Sequence, residues 1–278
     1  MNNDTISIII PVHNRPTLLI RALTSIIQQS YTNIEIIVID DGSTQPVQAM
    51  LKASFPDVIV VSQSHSGVSA ARNHGIRLAS SHWIAFLDSD DEWLTDKLNL
   101  QMQYLKANPD YKVCHSEEIW IRNGTRVNAM NKHAKCGGWI FQHCLPLCAI
   151  SPSSVIIHRS IFDQVGTFDE SLPACEDYDL WLRLTSQFPV LFIAQPLIRK
   201  YGGHDDQLSR QYWGMDRFRI TALQKIIDSE SLNPDDTQAA IAMLLKKISI
   251  YLKGLRKRNK SDEIIYYESL HHHYSQKL

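Results

Sequence analysis

Short runs of consecutive apolar residues alternate with helical patterns through the first hundred residues of the chain. The first run, Ile6–Val12, is rich in β-branched residues, and apolar residues at helical spacing follow it. The same unit recurs with apolar runs that begin at Ile34, Val58 and Trp83. Strands that are apolar on both faces, each followed by a helix, predict a parallel sheet covered by helices on both sides. An α/β fold is therefore expected.

The pattern weakens after residue 110. Between residues 111 and 139 polar residues are frequent and the strand signals are weak, so we interpret this stretch as a variable surface that faces an acceptor. The later elements are expected as a strand and short helix near 151–162, a loop opening into a helix near 168–188, two strands near 190–194 and 197–203, and three helices from about residue 212 onward.

Charge and cysteine content exclude several classes of function. The 278 residues carry a formal net charge of −1, so the chain as a whole has no electrostatic attraction to nucleic acid, and we expect no nucleic-acid partner. The five cysteines are an odd number without paired short spacing, which favours a reducing, cytoplasmic location. No apolar run approaches the ~20 residues of a membrane-spanning helix, and the first residues lack signal-peptide features.

Polar and acidic residues follow the predicted strands, and the most acidic of these segments comes after the fourth. Four of the five residues at 88–92 are acidic: Asp88, Asp90, Asp91 and Glu92. In parallel sheets, ligands bind at the carboxyl ends of the strands. If the chain is extended here, Asp88 and Asp90 project to the same side and suit Mg²⁺ or Mn²⁺, which bind oxygen ligands and substrate phosphates. The alternative is a solvated turn that also caps the next helix.

The second strand ends in Asp40 and Asp41, just before Gly42. A carboxylate at this edge can accept a hydrogen bond from a nucleobase N–H or a ribose hydroxyl. The same residues are also typical of an ordinary turn. The sequence leaves both interpretations open.

Five segments, in order and at their present separations, resemble the family 2 glycosyltransferases of the GT-A fold. They read "SIIIPVHNR", "SIIQQSYTNIEIIVIDDGS", "SGVSAARNHGI", "WIAFLDSDDEW" and "FDESLPACEDYDLWLRL", and the resemblance covers about residues 6–209. It implies a Rossmann-like, mostly parallel nucleotide-binding sheet flanked by helices. It also implies a nucleotide-sugar donor, by default a UDP-sugar, a divalent cation (Mn²⁺ or Mg²⁺) held through "DSD", and inversion at the anomeric carbon.

The resemblance assigns roles to residues by their position in these motifs. Pro11 and Asp41 match uridine-contacting sites, and Arg72 matches a basic residue near the nucleotide. His13 stands where an aromatic residue is common, beside the expected base. Asp90 matches the principal metal ligand, with Asp88 beside it, and Asp177 matches the catalytic base. His204 is interpreted either as a third metal ligand or phosphate contact, or as a surface or capping residue.

The residues alone give a weaker argument for a general base at Asp177 than the resemblance does. Glu176, Asp177 and Asp179 precede an amphipathic run, and acids at the start of a helix stabilise it without any catalytic role. Inverting sugar transfer nevertheless needs one carboxylate to take the acceptor proton while a cation stabilises the leaving charge. Two acidic sites almost ninety residues apart satisfy that need.

The predicted organisation is a GT-A domain over residues 1–210 and a helical C-terminal extension over residues 211–278. Residues 1–110 are the expected nucleotide-sugar-binding half, and residues 111–210 the acceptor-binding half. The acceptor class implied by the resemblance is a saccharide or lipid-linked molecule in surface polysaccharide or glycolipid synthesis. Two alternatives are a non-catalytic nucleotide-sugar or carbohydrate-binding module on the same fold and a metal-dependent phosphohydrolase.

The extension mixes apolar residues with a dense group of basic ones. Seven basic residues lie within fifteen positions: Lys246, Lys247, Lys253, Arg256, Lys257, Arg258 and Lys260. A helix of this composition either packs its apolar side on the domain and exposes its charges, or lies on an anionic membrane surface as a peripheral contact. The sequence does not decide between the two.

Overall fold

The computed structural model of the protein describes residues 4–128, 133–203 and 212–278. These residues form one mixed sheet of nine strands. The strands are β1 (Ile6–Val12), β2 (Ile34–Asp41), β3 (Ile59–Gln63), β4 (Trp83–Phe86), β5 (Glu92–Trp93), β6 (Val113–Arg122), β7 (Thr125–Val127), β8 (Ile156–His158) and β9 (Leu191–Gly202). Their order across the sheet is β3-β2-β1-β4-β8-β6-β9-β5, and β7 pairs with β6.

Helices cover both faces of this sheet. They are α1 (Pro16–Ile27), α2 (Gln48–Ser54), α3 (Val68–Leu78), α4 (Lys97–Ala107), α5 (Phe141–Cys144), α6 (Ser160–Val165), α7 (Glu176–Thr185), α8 (Asp216–Asp228), α9 (Pro234–Lys257) and α10 (Ser261–Ser275). A short 3₁₀ turn, Pro152–Ser154, precedes β8.

The four apolar runs at the start of the chain form the four strands predicted for them. β3, β2, β1 and β4 lie side by side in this order, and each adjacent pair is parallel. Alternate residues of β1 pack on opposite faces of the sheet, since Ile8 lies in the apolar cluster that contains Leu23 of α1, whereas Ile9 lies in the cluster that contains Ala71 of α3. β3 is the edge strand, so its side chains are only partly covered.

The interpretation of residues 111–139 as a variable surface is wrong for Val113–Arg122. This segment is one ten-residue strand, β6, that lies between β8 and β9, and His115 and Ser116 within it are fully buried. The two strands expected near 190–194 and 197–203 are likewise one continuous strand, β9. Polar residues weaken the strand pattern of these segments in the sequence. In the fold they are accommodated because neighbouring strands pair with them.

The three predicted C-terminal helices are confirmed as α8, α9 and α10. The apolar side of α9 is buried in the same cluster as α7, through residues such as Ile241, Leu244 and Ile248. Within the residues that the structure describes, no helix combines the length and the apolar character needed to cross a bilayer.

Helix α3 packs closely against β1 because it carries a glycine where the two elements meet. Gly75 of α3 faces Ile9 of β1 so closely that a methyl group at position 75 would overlap the Ile9 side chain, which is fully buried. Gly254 of α9 offers a contrast, since a methyl group there would approach only the mobile end of Arg258, at 3.3 Å.

We expect Gly75→Ala to lower the free energy of unfolding by roughly 1–3 kcal/mol, because overpacking of the β1 contact outweighs the helix preference of alanine. Gly254→Ala is the matched control, and it should be neutral or raise stability by up to about 1 kcal/mol. Urea denaturation of both variants measures the difference. Equal stability of Gly75→Ala and the parent chain would show that the Ile9 side chain moves aside without loss of stability.

Candidate active site

The segments that follow β1, β2, β3 and β4 meet at one edge of the sheet, as the parallel topology predicts. Arg15, after β1, donates to the carboxylate of Asp90, after β4, at 2.8 Å. His13 Nδ1 donates to the main-chain carbonyl of Asp41 at 2.8 Å. These contacts bring the predicted metal and nucleotide residues into one area of the surface.

The carboxylate of Asp41 is buried and surrounded by donors from the β3–α3 loop. It accepts hydrogen bonds from the side chain of Gln63 at 2.8 Å and from the main-chain N–H groups of Ser66 and Gly67, both at 2.9 Å. The ring of His65 lies 2.9 Å from its second oxygen. Asp41 therefore holds this loop in position, and its contact with a uridine stays a prediction.

His13 and His65 form a stacked pair beside Asp41. Their ring centroids are 4.1 Å apart with planes inclined by 26°. Pro11, the other predicted uridine contact, is buried within β1 opposite Ile39. An aromatic surface is therefore present where the resemblance expects one, although two histidines provide it.

The acidic segment at residues 88–91, which we call the DSDD turn, is not extended. The N–H of Asp91 donates to the carbonyl of Asp88 at 2.9 Å, which closes a turn. Residues 88–91 therefore do not meet the condition, an extended chain, under which Asp88 and Asp90 would project to the same side, and their role as metal ligands stays a prediction. Each carboxylate contacts a different arginine: Asp88 accepts from Arg72 at 2.7 Å and Asp90 accepts from Arg15.

The last two acids of the run attach the DSDD turn to β9. Asp91 is buried, and its carboxylate accepts from Ser153 Oγ at 2.6 Å and from the N–H of Tyr201 at 3.1 Å. Burial raises the pKa of Asp91 well above its usual range, and the charges of Asp90 and Asp88 raise it further. Glu92 accepts from the Tyr201 hydroxyl at 2.7 Å and from Arg199 at 2.8 Å.

Arg72 of α3 connects the DSDD turn to the start of α7. Its buried guanidinium donates to Asp88 and to Glu176, each at 2.7 Å. Burial by itself would lower the pKa of Arg72, but these two carboxylates raise it above its usual value. We call this arrangement the Arg72 bridge. The predicted contact of Arg72 with a nucleotide remains a prediction, because both of its described partners are carboxylates.

The three acids at the start of α7 differ in their surroundings. Glu176 is buried against Arg72, and burial followed by the charge of Asp177 raises its pKa. Asp179 is buried between Arg183 and Lys225, at 2.7 and 2.6 Å. Asp177 is partly exposed, and no side chain caps the helix at Cys175. Of the three acids, Asp177 is therefore the one that is accessible to solvent.

Sequence reasoning missed two residues of the candidate site, Cys148 beside Asp177 and Lys200 near Asp91. Cys148 Sγ lies 3.0 Å from Asp177 Oδ2, a contact that no sequence pattern indicates. Lys200, near the end of β9, donates to Ser151 at 2.7 Å. Burial alone would lower the pKa of Lys200, but nearby carboxylates, chiefly those of Glu118 and Asp91, raise it above its usual value. Lys200 could have been found from its position, because a basic residue near the carboxyl end of a strand lies where ligands bind in such sheets.

The DSDD turn fits a divalent cation of the kind that substrate phosphates help to hold. Mg²⁺ and Mn²⁺ need one or two protein carboxylates in such sites, and Asp88 retains partial exposure, at 28% of its side chain. Within residues 4–128, 133–203 and 212–278, no three histidine, cysteine or acidic side chains cluster as a metal site. His204, the third predicted ligand, lies outside the described residues.

Comparison with known proteins gives matches to one family. The family model described as glycosyl transferase family 2 matches residues 7–145. A relative from Erwinia amylovora, the amylovoran biosynthesis glycosyltransferase AmsB, is 30% identical over 213 residues, which cover 71% of this chain and 69% of that one. An uncharacterized glycosyltransferase from Rickettsia bellii is 32% identical over 190 residues, or 67% of this chain. The chain spans 27% of that relative and 33% of a second one from Rickettsia conorii.

The fold also matches solved structures. TarS from S. aureus, residues 1–349 in complex with UDP-GlcNAc, superposes with a TM-score of 0.68 at 15% identity. The match covers 98% of this chain and 92% of that structure. The predicted fold class, a mixed α/β architecture with a mostly parallel sheet flanked by helices, is confirmed.

We expect Arg72→Met to lower the free energy of unfolding by roughly 3–5 kcal/mol, because it leaves the buried carboxylate of Glu176 without its partner. The double variant Arg72→Met/Glu176→Gln should lose less, since the uncompensated charge is gone. Arg199→Ala is the control, because its pair with Glu92 is 41% exposed on the arginine side and should contribute about 1 kcal/mol or less. Denaturant unfolding tests this order. A double variant no more stable than Arg72→Met would contradict it.

Proposed function

We propose, since this chain belongs to glycosyl transferase family 2, that it transfers a sugar from a nucleotide-sugar, by default a UDP-sugar, to an acceptor hydroxyl with inversion. The observation that carries this proposal is the Arg72 bridge. It joins Asp88, on the predicted donor side, to Glu176, the neighbour of Asp177. The division into a donor half, residues 1–110, and an acceptor half, residues 111–210, is part of the same proposal.

In this proposal Asp177 is the general base. Its partial exposure, in contrast to the buried and ion-paired Glu176 and Asp179, supports that role. Asp177 takes the proton of the acceptor hydroxyl as that oxygen attacks the anomeric carbon, and the nucleoside diphosphate leaves from the opposite face. A single displacement of this kind inverts the anomeric configuration.

Asp88 and Asp90 are the residues that would hold Mn²⁺ or Mg²⁺ in this proposal. When bound, the cation supplies positive charge that stabilises the leaving diphosphate. Arg15 and Arg72, which contact the two carboxylates, orient them at the end of β4. The stacked His13 and His65 offer an apolar ring face to the nucleobase.

The comparisons support a donor and an acceptor class. The TarS structure contains UDP-GlcNAc, which supports a UDP-sugar donor for a chain of the same fold. AmsB is named for amylovoran biosynthesis, which supports a saccharide or lipid-linked acceptor in surface polysaccharide synthesis. A nucleotide-binding module without catalysis and a phosphohydrolase are the alternatives that the experiment below separates from a transferase.

We further propose a peripheral membrane contact through α9, which would keep the enzyme beside a lipid-linked acceptor. The apolar side of α9 packs on the domain, and its opposite side exposes Lys246, Lys253 and Lys257 together with Ile250, which is 50% exposed. We call these four residues the basic face of α9. No acidic residue occurs between Asp236 and Asp262. The basic face thus combines positive charge with an apolar contact. The cytoplasmic location stays a prediction.

We expect Asp177→Asn to lower turnover roughly 10²-fold or more with nearly unchanged donor affinity, because an amide keeps the shape but cannot accept the proton. Asp163→Asn, in the first turn of α6, is the matched control and should retain full turnover.

Asp90→Ala should instead lose Mn²⁺-dependent donor binding. A thermal-shift screen with Mn²⁺ identifies the donor, since a ligand at 100 times its dissociation constant stabilises by about 2.7 kcal/mol.

Nucleotide release and product formation, measured with and without saccharide acceptors, distinguish the outcomes. Sugar transfer with inverted configuration in the proton NMR spectrum is the expected result. Donor binding without release would identify a binding module, whereas phosphate release without transfer would identify a hydrolase. Turnover of Asp177→Asn within a few fold of the parent chain would move the base assignment to another acid.

We expect the triple variant Lys246→Glu/Lys253→Glu/Lys257→Glu to bind anionic vesicles at least about tenfold more weakly than the parent chain, since each basic residue near the lipid contributes about 1 kcal/mol. Lys52→Glu/Arg77→Glu/Lys106→Glu is the control, as it changes the net charge equally at other exposed positions. Flotation with anionic and neutral vesicles at low and high salt measures binding. Equal recovery of both triple variants would exclude the basic face of α9 as the contact.

A further inference from the structure

The thiol of Cys148 contacts the carboxylate of the proposed base. Its sulfur lies 3.0 Å from Asp177 Oδ2 and 3.2 Å from the carbonyl oxygen of Ile150. Burial raises the pKa of the Cys148 thiol well above its usual value, and the adjacent charge of Asp177 raises it further. The thiol is therefore protonated at neutral pH and acts as a hydrogen-bond donor.

A thiol carries one proton, so Cys148 can donate to only one of these two acceptors at a time. A carboxylate oxygen carries more negative charge than a main-chain carbonyl and is the better acceptor while Asp177 is ionised. Asp177 Oδ1 is held differently, by the N–H of Tyr178 at 2.7 Å. That amide belongs to the backbone of α7 and cannot turn away, whereas the S–H bond can rotate to Ile150.

We propose that Cys148 is a positioning residue for Asp177, whose S–H holds Oδ2 toward the acceptor and turns to the carbonyl of Ile150 when Oδ2 takes the acceptor proton. The inference rests on the proposed function, because it assumes that Asp177 is the base. The proton moves from the acceptor hydroxyl to Oδ2 as the hydroxyl oxygen bonds to the sugar. The thiol is not left unpaired after the transfer, since it exchanges one acceptor for another.

Several other charged or titratable groups surround this contact. They are Glu176 on α7, Lys200 on β9, Cys144 on α5, Cys175 before α7, and Arg219 on α8. Glu176 is paired with Arg72, and Arg219 with Asp216. The Asp177 carboxylate itself accepts from the Cys148 thiol and from the N–H of Tyr178.

The decisive test is the infrared S–H stretching band of Cys148 in the full chain, which needs no substrate. The band is assigned from the difference between the parent chain and Cys148→Ser, and the band of Cys144, assigned from Cys144→Ala, is the control. We expect the Cys148 band to shift in Asp177→Asn, while the Cys144 band stays in place. A Cys148 band that is the same in Asp177→Asn and the parent chain would overturn the proposal.

The second readout is turnover with Mn²⁺ and the UDP-sugar that the thermal screen selects. Removal of a hydrogen bond from a weak S–H donor predicts a roughly three- to tenfold loss in Cys148→Ala, rescue in Cys148→Ser, and no loss in Cys144→Ala. Equal turnover of all three variants and the parent chain would also overturn the positioning role. If Asp177→Asn keeps its turnover while the Cys148 band shifts, the failure lies with the assigned base and not with the hydrogen bond.

Discussion

The buried guanidinium of Arg72 is the interaction on which the geometry of the site depends. A charge in the interior is tolerated only when partners compensate for the water it has lost, and Asp88 and Glu176 do so from two different parts of the chain. Their distances from one rigid, planar group fix the spacing between the end of β4 and the start of α7. The acids after β4 and the acids at the start of α7 are therefore held at a fixed separation by one residue of α3.

The acidic run at residues 88–92 divides into two pairs with different tasks. Asp91 and Glu92 attach the segment to β9, whereas Asp88 and Asp90 are held by arginines and retain partial exposure. A run of like charges persists here because each member has its own partner, which lowers the cost of packing them together. The two interpretations of this run from the sequence, a solvated helix-capping turn and a cation site, each account for only part of these contacts.

Much of the architecture was predictable because burial on both faces leaves a plain signal: the middle residues of β1, β2 and β4 are apolar and buried. β6 was not, since its polar residues are buried only with help from distant ones. Glu118, for example, lies 3.3 Å from Lys135, and the strand has irregular pairing around Glu117. In the candidate site, too, features with a local sequence pattern were predictable and features that depend on tertiary contacts were not. Its acids were visible as motifs, but the thiol of Cys148 and the turn at 88–91 depend on tertiary contacts that carry no local pattern.

The strand order has a consequence for how the chain emerges from the ribosome. β4 pairs on one side with β1, but its other neighbour is β8, and about 70 residues separate Phe86 from Ile156. At ~5–20 residues per second, translation of that interval takes on the order of several seconds. During this time the open edge of β4 presents unpaired N–H and C=O groups beside the strands β1, β2 and β3, which have already been synthesised. Nascent-chain protection by chaperones is therefore most valuable in the window before β8 is made.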